Sequence, residues 1–540
     1  MNHLHVRIPM KTLRFALLLL FSALLCPLYA QVPVATQHND NSRTGQNLSE
    51  TILTPANVNV NQFGQIFSQT LDGYVYAQPL YVANVSIPGQ GTHNVVYVAT
   101  EHDSVYAFDA DSGGAALWHV SFINPSKGIN TVSSADVGCS DLVPEIGVTG
   151  TPAIDTTGGT LYVVSNTKKN GKFYQQLHAL DITTGAEKFG GPVLINAKVK
   201  GTGDGSVNGY VHFDPLKNNQ RPGLLLQNGT VYISWASHCD IGPYHGWVIS
   251  YNSQTLKQSG VWNSSPNAGL SGFWGGGSGI AADSSNNLFV ATGNGMFDVN
   301  TGGRDYGDSL VKLSPPVNAR FKAADYFTPY DQGNLYDYDT DLGSGGILLL
   351  PDQTGPYPRL LVESGKEGTI YLVNRDNMGH YNPNNNNQIV QSLNTAIGGI
   401  WGMPAWWNNN IYFGGQYDYL KAYSFNPSAE LLSTSPTSQS GTYYNYPGPT
   451  PSISANGATN GIVWTLQTDG TGPNGATILH AYDATNLATE LYNSTQNASR
   501  DTPGGAVKFT LPTIANGKVY VPAQYELTVY GILPGAKAKK

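Results

Sequence analysis

The sequence predicts an all-β fold, an eight-bladed β-propeller of four-stranded antiparallel blades. Three observations lead there. First, residues 92–122, THNVVYVATEHDSVYAFDADSGGAALWHVSF, read as three short strands joined by turns, too small a sheet to bury its own faces. Second, the strand VVYVAT of that stretch recurs seven more times along the 540 residues, the mark of a repeat architecture. Third, 62 glycines, 32 tyrosines and a charged fraction of only 12% suit a turn-rich β protein.

Taken in order, VVYVAT begins at Val95, LYVVSN at Leu161, VYISWA at Val231 and LFVATG at Leu288. LLVESG follows at Leu360, IYFGGQ at Ile411, IVWTLQ at Ile462 and VYVPAQ at Val519. Each has a further strand after it and a Gly- or Pro-led apolar segment before it. A radial stack hides the edges that a sandwich of so many strands would leave open. Only PGAKAKK follows the last strand, LTVYGIL, so the final blade lacks its outer strand. FGQIFSQTL, from Phe63, is expected to supply it and close the ring. The chain then divides into a leader at 1–30, an Asn- and Thr-rich arm at 31–62, the propeller at 63–533 and a basic tail at 534–540.

The leader is basic in MNHLHVRIPMKTLRF and apolar in ALLLLFSALLC, the pattern of a secretory signal cleaved after Ala30. Its apolar run falls short of the roughly 20 residues of a membrane span, and no other stretch reads as transmembrane. An exported protein, periplasmic or secreted, is expected. The formal net charge is −8, and loss of Arg7, Lys11 and Arg14 with the leader makes it more negative still. A thinly charged, acidic surface argues against nucleic acid as a partner. A monomer acting on a small molecule or a glycan is expected.

Cys139 and Cys239 remain after the leader. Two cysteines in an exported chain suggest one disulfide, the alternative being two free buried thiols. Propeller connectivity places the second-to-third-strand loops and the inter-blade links on one face. Those segments carry much of the charge, including Glu101, Glu145, His238, Asp240, His245, Asp337 and Lys366. A polar funnel at the axis is therefore expected. GGGSG at Gly275 lacks the GK[ST] of a phosphate loop and reads as a tight passage at the channel wall.

The repeat AFDADSGGAALW resembles that of the pyrroloquinoline-quinone-type propellers, in which the tryptophan, here Trp118, packs between blades. Several segments also resemble site segments of quinoprotein alcohol dehydrogenases. GKEGTIYLVNRDNMG, from Gly365, implies that Lys366 touches the quinone oxygens. ATGNG, from Ala291, implies Asn294 as a Ca²⁺ ligand. YDYD, at 336–339, implies Asp337 as catalytic base and a further metal ligand. SHCDIGPYHGWVISYN, from Ser237, offers Asp240 as a metal ligand and puts His245 where the family has an arginine. VGCSD puts Cys139 beside the cofactor, with Ser140 where the family has a second cysteine. Trp274 is the nearest candidate for the aromatic floor. The resemblance thus implies pyrroloquinoline quinone and Ca²⁺, with oxygen ligands suited to that hard ion, and oxidation of an alcohol or sugar.

Two other functions stay open. A glycan-active lyase or hydrolase would use His238, Asp240, His245 and Glu145 as acids and bases. Trp401, Trp406 and Trp407 could stack on a sugar or on the cofactor, or pack within blades. A non-catalytic interaction propeller would need none of these residues.

Overall fold

The computed structural model describes Met1 and residues 32–535. The expected signal sequence, apart from Met1, and the tail from residue 536 lie outside the described residues.

The chain lays down antiparallel sheets in succession. The first holds Leu80–Ile87, Gly91–Thr100, Ser104–Asp109 and Trp118–Ser121, paired in that order. Its second strand is buried at every residue from Val95 to Thr100. Neighbouring sheets cover both its faces, which is why the recurring segment reads as a continuous apolar run rather than an alternating one. The same four-strand order returns with Thr160–Lys169, Leu360–Glu363 and Thr459–Gln467 as second strands. Two sheets, 225–263 and 281–328, fuse, and with the short strands Asn218–Asn219 and His380–Tyr381 they make one of ten strands. Their outermost strands pair in parallel, Gly260 with Ala319 and Val261 with Arg320.

One side-chain device joins the sheets. Tyr97, in the second strand of the first sheet, donates to the carbonyl of Ile182 in the next at 3.0 Å. Tyr162 donates likewise to Ser253, and Tyr412 to Ala484. Tyr520, in the last sheet, donates to Ala110 of the first at 3.1 Å. The last sheet therefore docks on the first by the bond that three other sheets use on their successors. Trp118 adds a second bond from indole Nε1 to Ile182 O at 2.9 Å. A Cβ on Gly185 would come within 2.8 Å of that indole, so a side chain there would displace it. Phe63–Tyr74 pairs antiparallel with Lys518–Ile532, from Phe63 opposite Ile532 to Tyr74 opposite Gln524.

The arm is built into the structure. Backbone bonds tie Val34 to Tyr81, Ala35 to Ile154, Asn41 to Ala282, Ser42 to Leu349, Thr44 to Trp406 and Gly45 to Ile453. These partners lie in or beside the innermost strands of successive sheets, so about a dozen residues of the arm lace those strands together in chain order. Arg43 is 0% exposed and donates to Ile280 O, Gln37 O, Thr36 Oγ1 and Leu224 O. Satisfying a guanidinium with carbonyls in this way is what permits its burial.

Candidate functional site

Inter-sheet links and second-to-third-strand loops meet around a cavity of about 560 Å³, measured with its open mouth. Asp141, Arg221, Trp274, Asp341, Trp401 and Tyr446 come from links; Cys239, Asp240 and Lys366 come from loops. This is the shared face that strand connectivity demands, and it gathers side chains from five sheets and more.

Lys366 follows the strand Leu360–Glu363, and its backbone N–H donates to Asp341 O at 2.9 Å. The ammonium lies 2.5 Å from Asp341 Oδ2, 3.0 Å from Asp339 Oδ1 and 2.9 Å from Asp339 O. Burial works against its charge, but Asp341 and Asp339 outweigh that and raise its pKa. Asp341 is 2% exposed, and burial raises its pKa against the pull of Lys366. Its second oxygen accepts from the Asn294 N–H at 2.6 Å. A Cβ on Gly293 would collide with that oxygen and approach Trp274 at 2.7 Å, so the ATGNG turn tolerates only glycine there.

Across the cavity, Asp141 bridges Arg221 at 3.1 Å and Lys508 at 2.5 Å. Burial opposes its charge, yet the two cations hold its pKa below the ordinary carboxylate range. The Arg221 guanidinium lies 3.8 Å from the centre of the Phe509 ring, a cation–π contact. Gly276 admits it, since a Cβ would come within 2.6 Å of Nη2. Trp401 meets Tyr446 edge to face at 5.3 Å, with the Lys366 ammonium 6.0 Å from the indole.

Asp240 and Cys239 both adopt left-handed backbone, φ 53° and 50°. Such geometry in non-glycine residues costs about 1–3 kcal/mol each and must be held by its surroundings. The disulfide Cys139–Cys239, with Cα atoms 5.7 Å apart, anchors this loop to the link before the second sheet. Tyr244 O–H donates to Asp240 Oδ1. Asp240 is open to solvent through the cavity. The protein packed around that concave wall nevertheless disfavours its charge, and its pKa is raised.

Of the residues singled out in the sequence, Lys366, Asp240, Trp274, Trp401 and Cys239 line the cavity, and Cys139 reaches it through its disulfide. Asn294 stands behind Asp341, its Nδ2 donating to Asp339 and its buried Oδ1 without a partner. His238 is buried beside Asp141 and Arg221, and burial pushes its imidazole down to about 4. Asp337 and His245 do not reach the cavity, and Trp406 and Trp407 pack within the sheets' cores. Asp337 ends the short helix Gln332–Asp337 and is exposed, because that helix buries Gln332 and Leu335 instead. His245 is buried with its ring nitrogens on Ser265 O and Asp204 O, both at 2.9 Å, which makes it a brace between loops. Glu145 is bonded to His102 at 2.7 Å, so the acid–base set of a glycan lyase is not assembled in the cavity. Strand connectivity already put Asp141 on this face; sequence reasoning missed its pairing, Arg221, Tyr446 and the inward role of Asp341. Only alternating carboxylates in DYDTDLG hinted at the last.

No protein-family model and no curated protein sequence matches the chain. Solved structures do. The quinohemoprotein alcohol dehydrogenase ADHIIG of Pseudomonas putida HK5 aligns over 94% of this chain and 81% of its own, at 14% identity and TM-score 0.58. The quinohemoprotein alcohol dehydrogenase of Comamonas testosteroni aligns over the same shares, at 16% identity and TM-score 0.57. A europium-containing methanol dehydrogenase aligns over 92% of this chain and 98% of its own, at 13% identity and TM-score 0.57. At such identities the likeness establishes the fold: a divergent propeller of the pyrroloquinoline-quinone type.

Proposed function

We propose that the chain is an exported oxidoreductase of the quinoprotein type, its sheets forming eight four-stranded blades around one axis. The substrate is an alcohol or sugar hydroxyl. The observation that carries this reading is the convergence of Lys366, Arg221, Trp274 and Trp401 on one cavity at the polar face. These residues fit a planar, multiply anionic quinone. They offer aromatic walls and two cations, and Arg221 Nε, Arg221 Nη2 and Trp274 Nε1 are buried donors with no hydrogen-bond partner.

They do not fit a Ca²⁺ ion in the same way. Among the described residues no three His, Cys, Asp or Glu side chains come together to hold a metal. The ammonium of Lys366 already stands between Asp339 and Asp341, where a cation would be drawn. The reading therefore includes no metal-dependent step.

Bound in this cavity, the quinone would supply a two-electron acceptor for the substrate's hydrogen. The protein's own groups do the rest. Arg221 would hold anionic oxygens by charge-assisted bonds from its unpartnered Nε and Nη2, and Lys366, whose protons go to Asp339 and Asp341, would add its positive charge beside them. Trp274 and Trp401 confine a flat ring and keep water from it. Asp240, its pKa raised toward the range where a carboxylate is an effective base, takes the hydroxyl proton on the oxygen not bonded to Tyr244.

The test is titration of the purified protein with pyrroloquinoline quinone, followed by tryptophan quenching, quinone absorbance and dye-linked oxidation of an alcohol panel. Saturable quenching that Trp401→Leu reduces supports the reading. Absence of quenching at quinone concentrations well above micromolar sinks it.

A further inference from the structure

A second site lies on the seam where the two fused sheets meet, apart from the central cavity. It is a groove of about 1460 Å³, measured with its open side. Its floor is the parallel pairing of Gly260 and Val261 with Ala319 and Arg320, and the hairpin Lys198–Lys200 with Tyr210–His212 flanks it. Its enclosed part, about 660 Å³, is within the roughly 300–1,000 Å³ of ligand pockets, and its open side leaves room for a chain to run on.

The charge of the lining is one-sided. Lys198, Lys200, Arg304 and Arg320 all line it, and no carboxylate does, in a chain with 36 acidic against 28 basic residues. All four cations are exposed, and among the described residues none is in an ion pair. At the central cavity, by contrast, Arg221, Lys366 and Lys508 are each matched to a carboxylate. Two of the four are held in place: Lys198 lies 4.7 Å from the Tyr210 ring centre, and Arg304 donates to Lys200 O at 3.1 Å.

A buried donor points to the same ligand. Asn263 lines the groove, is 4% exposed, and its Nδ2 has no hydrogen-bond partner, while its Oδ1 is fixed by Ser265 N–H at 3.1 Å. A buried amide N–H left without an acceptor is destabilising unless a ligand supplies one. Trp262, half-buried beside it, presents an aromatic surface.

We infer that this groove binds an acidic oligosaccharide, a chain of uronate-type sugars. Carboxylates would pair with the four cations, a hydroxyl or carboxylate would accept from Asn263 Nδ2, and a ring would lie against Trp262. Nucleic acid shares the charge but not the setting. The Cys139–Cys239 disulfide belongs to an oxidising compartment, where the polyanions a protein meets are envelope and matrix polysaccharides.

The full chain is titrated by calorimetry with oligogalacturonate, neutral dextran and oligothymidylate at low and high salt. Oligogalacturonate is expected to bind, and more weakly as salt rises; dextran is expected not to bind. The exposed pair Lys200→Glu/Arg320→Glu should weaken binding by about tenfold or more, with the melting temperature held. Asn263→Asp, which keeps the Ser265 bond, should weaken it as well and decides the matter if the pair is misfolded. The inference is overturned if oligogalacturonate fails to bind, if the variants bind as wild type does, or if oligothymidylate binds as tightly.

Discussion

The ammonium of Lys366 lies 2.5 Å from a carboxylate oxygen of Asp341 that is almost sealed from water, and 3.0 Å from a second carboxylate, Asp339, that is exposed. The two contacts differ in weight. An exposed partner contributes little. A buried one cannot be removed without leaving its mate unpaired, at a cost of about 3–5 kcal/mol. Lys366→Met should therefore lower the unfolding free energy by about 3 kcal/mol. The double variant with Asp341→Asn should regain much of that, giving a clear coupling energy in a double-mutant cycle of urea unfolding. Additive single effects would show that the pair does not act as a unit.

The same geometry bears on ions. With Lys366 in place, Asp339, Asp341 and the orphaned Oδ1 of Asn294 are denied to a metal. Lys366→Ala releases two carboxylates and an amide oxygen, a donor set suited to Ca²⁺. Calorimetric titration should detect Ca²⁺ binding in the variant and none in the wild type at this place. Chelation should leave the wild type's melting temperature unchanged. A wild type that loses stability on chelation would contradict the assignment of Lys366 as the resident cation.

Much of the fold was legible because the recurring strands are buried on both faces and so stand out as apolar runs. Lys366 was legible from strand connectivity and from the resemblance of its segment, Trp274 from that resemblance, and Trp401 as an aromatic able to stack on a ligand. Asp141 was placed on the same face, but its pairing with Arg221 and Lys508 was not legible. Their association joins positions 367 and 80 residues apart, and no local pattern encodes it. The acidic run from Asp337 to Asp341 shows why spacing was insufficient. A short helix turns the first residue outward, and the tight turn at Leu342–Ser344 carries the last inward. Alternating carboxylates do not say which of them is buried.

Buried acids should give the protein an unusual pH profile. Burial pushes Glu101 up to about 8, and its Oε1 has no partner, as suits a protonated group. Glu363, Asp308 and Asp103 are raised in the same direction, again by burial first. An unfolded glutamate releases its proton near pH 4.3. Between there and about pH 8 the folded state holds the extra proton, so stability falls as pH rises. The slope approaches ~1.4 kcal/mol per pH unit for each such group. Urea midpoints should decline from pH 5 to 8, and Glu101→Gln should flatten the decline. A midpoint rising across that window would refute the assignment.

The disulfide closes 100 residues of chain between Cys139 and Cys239. Its removal by Cys139→Ser/Cys239→Ser should lower stability by about 2–5 kcal/mol. It should also free the left-handed loop that presents Asp240, so quinone quenching should weaken more than it does in a variant equally destabilised in a distant sheet. Equal weakening would mean that the bridge serves stability alone.

Arg43 tests the arm. It lies within a segment that touches the innermost strands of successive sheets, and its guanidinium is fully buried on four acceptors from the arm and from 224–280. No carboxylate lies within ion-pair distance of it among the described residues, and burial lowers its pKa to about 10. Arg43→Met keeps most of the volume but leaves the carbonyls of Ile280, Gln37 and Leu224 short of a donor. Each buried acceptor left unpaired costs about 1–3 kcal/mol, so a loss of about 3 kcal/mol or more is expected in urea unfolding. Arg43→Lys, a point donor that cannot span the fork of acceptors, should recover less than half of it. If the arm merely lay against the ring, both variants would unfold at the wild-type midpoint. A lowered midpoint with a single transition means instead that the lacing strand and the sheets it joins come apart together.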